Sequence, residues 1–149
     1  MPTISIEQDL IARLLAKSGY IHDIDYLADQ LPLLGTDIDK CDSETLDIEI
    51  FPNRPDLLSG ETLTKAIRNF IHQEKAEPSI DISPGKIEIK VDAEIKNIRP
   101  VVLGAVVRGV NFGVDVEQFD KFIKSLMDHQ EKLHFALGRG RKRASIGVH

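Results

Sequence analysis

Leu46-Asp47-Ile48-Glu49-Ile50-Phe51-Pro52-Asn53-Arg54-Pro55-Asp56-Leu57-Leu58-Ser59 is the stretch that decides the fold. It opens with strict alternation of apolar and acidic residues, the period of a strand with one buried and one solvated face. Pro52 and Pro55 then fix two φ angles and push Phe51 and Arg54 toward extended backbone, which makes a stiff turn. Ser59 stands where a helix N-cap belongs, and Leu63, Ala66, Ile67, Phe70 and Ile71 continue at helical spacing. A strand, a rigid corner and an amphipathic helix in succession predict an α+β unit. Within the corner, Arg54 can reach back to Glu49 or across to Asp56, and Asp56 can accept backbone N–H groups at the helix start. Asn53, Arg54 and Asp56 are therefore read as a structural corner, in preference to an RNA or partner contact.

Upstream, Ser5 followed by Gln8 has the pattern of a capping box, with Leu10, Ile11, Leu14 and Leu15 as the apolar stripe of a first helix and Gly19 as its stop. A second helix is predicted from Asp23 toward Leu31, with Ile24, Leu27 and Leu31 on one stripe and Pro32 closing it. The two are expected to form a helix hairpin, completing a first domain over residues 1–75.

Downstream, the polar stretch from His72 to Pro78 reads as a connector. Ile80 and Ile82, the Pro84-Gly85 turn, and Ile87, Ile89 and Val91 predict a β-hairpin. Residues 101–107 are apolar on both faces, which suits a central strand. Asp115 and Gln118 cap a predicted long helix with Phe119, Phe122, Ile123, Leu126, Met127 and Leu133 on its stripe, ending near Gly138. Residues 144–149 then begin like a strand and stop, so the polypeptide is expected to continue. Residues 76–149 are thus expected to open a second, incomplete α+β unit.

The 149 residues carry a net charge of -5, whereas a general nucleic-acid binder has a basic excess, so any RNA contact must be local. Gly138-Arg139-Gly140-Arg141-Lys142-Arg143 is the one place where basic residues concentrate. Two readings of Arg139, Arg141, Lys142 and Arg143 stand side by side: cations favourable at a helix C-terminus, and a loop that contacts phosphates. A lone Cys41 permits no internal disulfide, which fits a reducing compartment, and no apolar run approaches the ~20 residues of a membrane span. The five histidines never form an i, i+4 ligand pair, so they are read as surface or helix-end residues and no metal site is expected. Gly109 and Gly113 complete no dinucleotide fingerprint, Gly138 to Gly140 lack the lysine of a phosphate loop, and no serine sits in a nucleophile elbow. No catalytic or cofactor-binding residue is assigned.

Two stretches carry a resemblance. Ile48 through Ser59, with Asn53-Arg54-Pro55-Asp56 at its centre, resembles the junction of acidic strand and helix in phenylalanyl-tRNA synthetase β subunits of the archaeal and eukaryotic type. Arg99-Pro100-Val101-Val102, Gln130-Glu131-Lys132-Leu133-His134, Gly138-Arg139 and Ala144-Ser145-Ile146-Gly147-Val148-His149 are similar to the region leading into the editing domain of the same subunits. The chain departs from the family pattern at Thr62, where a glycine is usual, and at Lys65, where an arginine is usual. The resemblance implies the N-terminal portion of a β subunit in an α2β2 ligase that charges the tRNA for phenylalanine, using ATP and magnesium. It implies partnership with the α subunit and that tRNA, a cytoplasmic location, and editing of mischarged tRNA in the β subunit. The pocket of that editing domain would lie beyond His149, so this chain alone is expected to be inactive and to bind no ATP or magnesium. The alternative is a small stand-alone module that binds RNA through the basic loop, or a protein partner through an apolar strand edge.

Overall fold

The computed structural model describes residues 2–75, 85–111 and 115–149. Its order is β1 (Thr3–Glu7), α1 (Gln8–Ala16), α2 (Ile24–Gln30), β2 (Thr36–Cys41), β3 (Thr45–Ile50), α3 (Gly60–Ala66) and α4 (Val116–Ala136). The three strands form one antiparallel sheet in the order β1-β3-β2. The alternating stretch is therefore its central strand. Leu46, Ile48 and Ile50 point into the core, pairing Ile48 with Ile4 on one side and Ile38 on the other. Ile11 and Leu15 of α1, Leu27 of α2 and Leu63 of α3 cover that face and are almost wholly buried. Each such side chain contributes ~1.5–3 kcal/mol relative to exposure, so this cluster is what holds the unit together. The α+β reading stands.

Ser5 does not cap a helix. It lies inside β1 opposite Asp47, and α1 begins at Gln8 with no side-chain cap on Glu7. Ile4 and Ile6 are buried while Thr3, Ser5 and Glu7 face out, so a period of two was available in the same residues and the sheet partner decided between readings. The backbone N–H of Gln8 is satisfied instead by the Glu44 carbonyl, at 2.9 Å. The expected helix hairpin is also corrected. α1 packs on α3, whereas α2 continues into a 3-10 turn (Leu31–Leu34) that packs beside β2. Gly35, at φ 83°, reverses the chain there into β2, an edge strand whose polar residues concealed it.

α3 is capped by Ser59, as the sequence predicts, and Thr62 completes a reciprocal capping box: its N–H donates to Ser59 Oγ at 3.2 Å, and its Oγ1 accepts from the Ser59 N–H at 3.3 Å. Close packing falls two residues earlier in the chain, at Gly60, where an added Cβ would lie 2.8 Å from Leu10 Cδ2 and 3.0 Å from Ile6 Cγ2.

Three further expectations change. Residues 101–107 form no strand and pair with none among the described residues, and Leu103 is 89% exposed. A strand apolar on both faces needs neighbours and covering layers, and the described residues supply neither. Residues 80–84 of the expected hairpin lie outside the described residues. Residues 87–91 are described and form no strand, and neither do residues 144–149. The long helix is present. The Asp115 carboxylate accepts from the Gln118 N–H at 2.8 Å, and Leu133 and Ala136 pack against the core cluster. Polar contacts tie α4 down further along: Lys121 pairs with Glu7 at 3.2 Å, Ser125 donates to Glu61 at 3.0 Å, and Lys132 donates to the Thr3 carbonyl at 3.0 Å. None of the described helices is long and apolar enough to cross a membrane.

Candidate nucleic-acid interface

The corner is built from the backbone outward. Phe51 N–H donates to the Gly35 carbonyl at 3.3 Å, and Arg54 N–H closes the turn on the Phe51 carbonyl at 2.9 Å. Asn53 sits exposed at its tip. Arg54 lays its stem over Gly35, where an added Cβ would lie 3.3 Å from its Cγ. Its guanidinium grips Asp56 in a two-point fork at 3.0 and 2.8 Å and also donates to the Leu34 carbonyl. The fork holds the Asp56 carboxyl below the ordinary range and raises Arg54. Of the two reaches the sequence allowed Arg54, the structure shows the one to Asp56. Helix capping falls to Ser59, because Asp56 lies in a separate 3-10 turn (Pro55–Leu57).

Beside this corner lies an open groove of about 690 Å³ between α3 and the C-terminal half of α4, lined in part by Leu33, Arg54, Lys65, Phe70, His129 and Leu137. α3 does not end regularly. Residues Ile67–Ile71 form a π turn, with the His72 N–H bonded to the Ile67 carbonyl at 3.1 Å. This extra residue in the turn leaves Phe70 56% exposed on the groove, although its spacing predicted a core position. Sequence reasoning missed the groove as a unit. Its one signal was Lys65, noted as a departure from the family pattern.

The basic loop follows α4. Leu137 and Gly138 close the helix, and the N–H groups of Gly140 and Arg141 fold back to the His134 carbonyl at 2.9 and 3.4 Å. Arg139 and Arg141 both take left-handed backbone, at φ 49° and 63°, a conformation uncommon outside glycine. Arg141 is anchored to Glu131, whose carboxyl is lowered by that guanidinium and by His134. Arg139, Lys142 and Arg143 are exposed and have no ion-pair partner among the described residues. The structure thus sorts the four cations into one brace and three free charges.

His134 is a helix-end histidine, in the last turn of α4, and it is buried. Only 4% exposed, it accepts the Ile146 N–H on Nε2 at 2.8 Å and sits 3.3 Å from Glu131 through Nδ1, which docks residues 144–149 against the end of α4. His22, near the start of α2, donates from Nε2 to Gln8 Oε1 at 2.9 Å, and its Nδ1 is buried without a partner. Burial lowers its pKa. Among the described residues no three His, Cys, Asp or Glu side chains come together so as to hold a metal ion.

No protein-family model matches the chain. Relatives do. It is 40% identical over all 149 residues to the phenylalanine–tRNA ligase β subunit of Methanococcoides burtonii, covering 26% of that protein. It is 41% identical, again over its whole length, to the corresponding subunit of Methanosarcina barkeri, covering 25% of it. Among solved structures, an N-terminal fragment of the phenylalanyl-tRNA synthetase β subunit from Pyrococcus horikoshii superposes with a TM-score of 0.67 over 94% of this chain and 39% of that one, at 22% identity. That match shows the shared fold. The chain is therefore homologous to part of an aminoacyl-tRNA ligase. More narrowly, it is a homologue, from end to end, of the phenylalanine–tRNA ligase β subunit, and it spans about a quarter of the length of the curated relatives it matches.

Proposed function

We propose that this chain is the N-terminal part of the β subunit of a cytoplasmic phenylalanine–tRNA ligase, which charges its tRNA at the expense of ATP with magnesium. The observation that carries this reading is the unbroken similarity to β subunits, 40% identity over 149 residues, in a chain with the fold of a solved N-terminal fragment. In this reading residues 1–75 are the N-terminal domain and residues 76–149 open the editing-type domain, whose further strands cover the apolar run at 101–107. The α subunit, in an α2β2 assembly, holds the aminoacylation pocket. Editing answers a physical limit: an apolar pocket rejects an isostere bearing one added hydroxyl by only about 100-fold, so tyrosine must be removed at a second site.

No three His, Cys, Asp or Glu side chains come together among the described residues, and no step of activation is assigned to this chain. Its proposed share is structural and electrostatic. The corner at Asn53, Arg54 and Asp56 fixes the sheet to α3, and Arg139, Lys142 and Arg143 meet tRNA phosphates from a loop that Arg141 braces.

Phenylalanine-dependent ATP–pyrophosphate exchange tests the assignment. The 149-residue chain alone is expected to show none, and no hydrolysis of tyrosine-charged tRNA, while the full-length β subunit co-expressed with its α subunit shows both. Robust exchange by the short chain, in a preparation free of host synthetase, would overturn the reading.

A further inference from the structure

We infer that the groove between α3 and α4 is a seat for an unpaired nucleotide, with Phe70 as its stacking platform and Lys65 as a phosphate contact, continuous with the basic loop. The inference rests on the proposed tRNA contact and extends it from a charged loop to a shaped site.

Three independent observations converge on the groove. First, Phe70 is 56% exposed, held outward by the π turn at Ile67–Ile71, and it faces open space large enough for a base, about 690 Å³. Turns of this kind inside helices are often found at functional sites. Second, the charge is complementary to a polyanion. Asp56 is the only carboxylate that lines the groove among the described residues, and Arg54 already neutralises it, which leaves Lys65 as the free charge. This stands out in a chain of net charge -5. Third, Leu137 forms part of the groove wall and the next residues are the loop that carries Arg139, Lys142 and Arg143, so positive charge continues from the groove mouth along the chain. An exposed aromatic face beside a basic track is how single-stranded nucleic acid is held without sequence readout. An acidic peptide would satisfy the charges but has no use for the ring face. For that reason RNA is the occupant proposed.

Fluorescence anisotropy of a labelled oligouridylate with the 149-residue chain, over a range of salt concentrations, tests this, with a polyglutamate peptide of matched charge as competitor. Phe70→Leu keeps apolar bulk but removes the aromatic face, and should weaken binding about 5-fold or more with the salt slope unchanged. Lys65→Gln should lower the slope by about 0.7, the value for one phosphate on a single strand. Both side chains are exposed, so thermal unfolding should be unaltered in either variant and serves as the control. If Phe70→Leu and Lys65→Gln bind like the parent while an Arg139, Lys142 and Arg143 triple alanine variant does not, the groove takes no nucleotide, yet the loop contact survives. Should polyglutamate compete as well as RNA, the surface is one for acidic protein and the inference fails. Absence of any RNA binding by the unaltered chain would remove both the groove site and the proposed loop contact.

Discussion

Replacing Arg54 with alanine should cost much more than replacing its ion-pair partner. The guanidinium makes two kinds of contact. Its fork with Asp56 is solvent-screened, since the Asp56 side chain is 59% exposed, and pairs of that kind are worth about 0–1 kcal/mol. Its bond to the Leu34 carbonyl ties the corner to the turn that feeds β2, and a hydrogen bond to a charged group contributes ~1.5–3 kcal/mol. Arg54→Ala loses both, about 1.5–4 kcal/mol together, and also the stem packed on Gly35. Asp56→Ala loses only the fork, at most ~1 kcal/mol, because Arg54 can still hold Leu34. With a urea slope of ~1–3 kcal/mol per molar, the first variant should shift the unfolding midpoint by about 1 M and the second by a fraction of that. The acid limb supplies a second check. Asp56 is lowered in the folded state, so its stabilisation is complete above the ordinary carboxylate pKa of ~3.9 and is lost as pH falls through the lowered value. Arg54→Ala should blunt that loss. Equal midpoint shifts for the two variants would show that the ion pair dominates and refute this partition. Unaltered midpoints with lost tRNA or α-subunit binding would make the corner a recognition surface.

Gly60→Ala should destabilise by about 1–2 kcal/mol in thermal unfolding, since the new methyl crowds Leu10 and Ile6 by more than the helix gains from alanine; a variant more stable than the parent would contradict that close approach. Between pH 7 and 5 the chain should lose stability through His22, whose lowered pKa means that the unfolded state binds the proton first; stability is full above ~6.5 and declines below it. His22→Gln should flatten that part of the profile, and an unchanged profile would remove His22 as the cause. In filter binding to tRNA, Arg139, Lys142 and Arg143 changed together to alanine should reduce the salt slope by about 2–3, while Arg141→Ala changes it little. A large effect of Arg141 alone would mean that it leaves Glu131 to meet the phosphate.

What could be read from the residues was whatever local periodicity and capping decide. β3, the proline corner, the Ser59 cap and α4 with its Asp115 cap all follow from side chains close in sequence. The errors arose where a distant partner chooses. The segment from Thr3 to Glu7 became a strand because β3 was there to pair with it, and β2 exists because the same strand has a second edge. Residues 101–107 have the composition of a central strand without a sheet to join among the described residues. At the candidate interface, the basic loop was legible as composition, but its division into a brace and free charges needed Glu131, ten residues away, to be placed beside Arg141. Of the groove only Lys65 gave a signal, as a departure from the family pattern. The groove itself depends on one extra residue in a helical turn, which no local pattern announces.

Reading the coding frame past the codon for His149 decides whether this chain is the opening of a β subunit. An open frame should run on to a total of about four times the present length, given that the chain matches 26% of its relative. A stop codon immediately after His149 would contradict it.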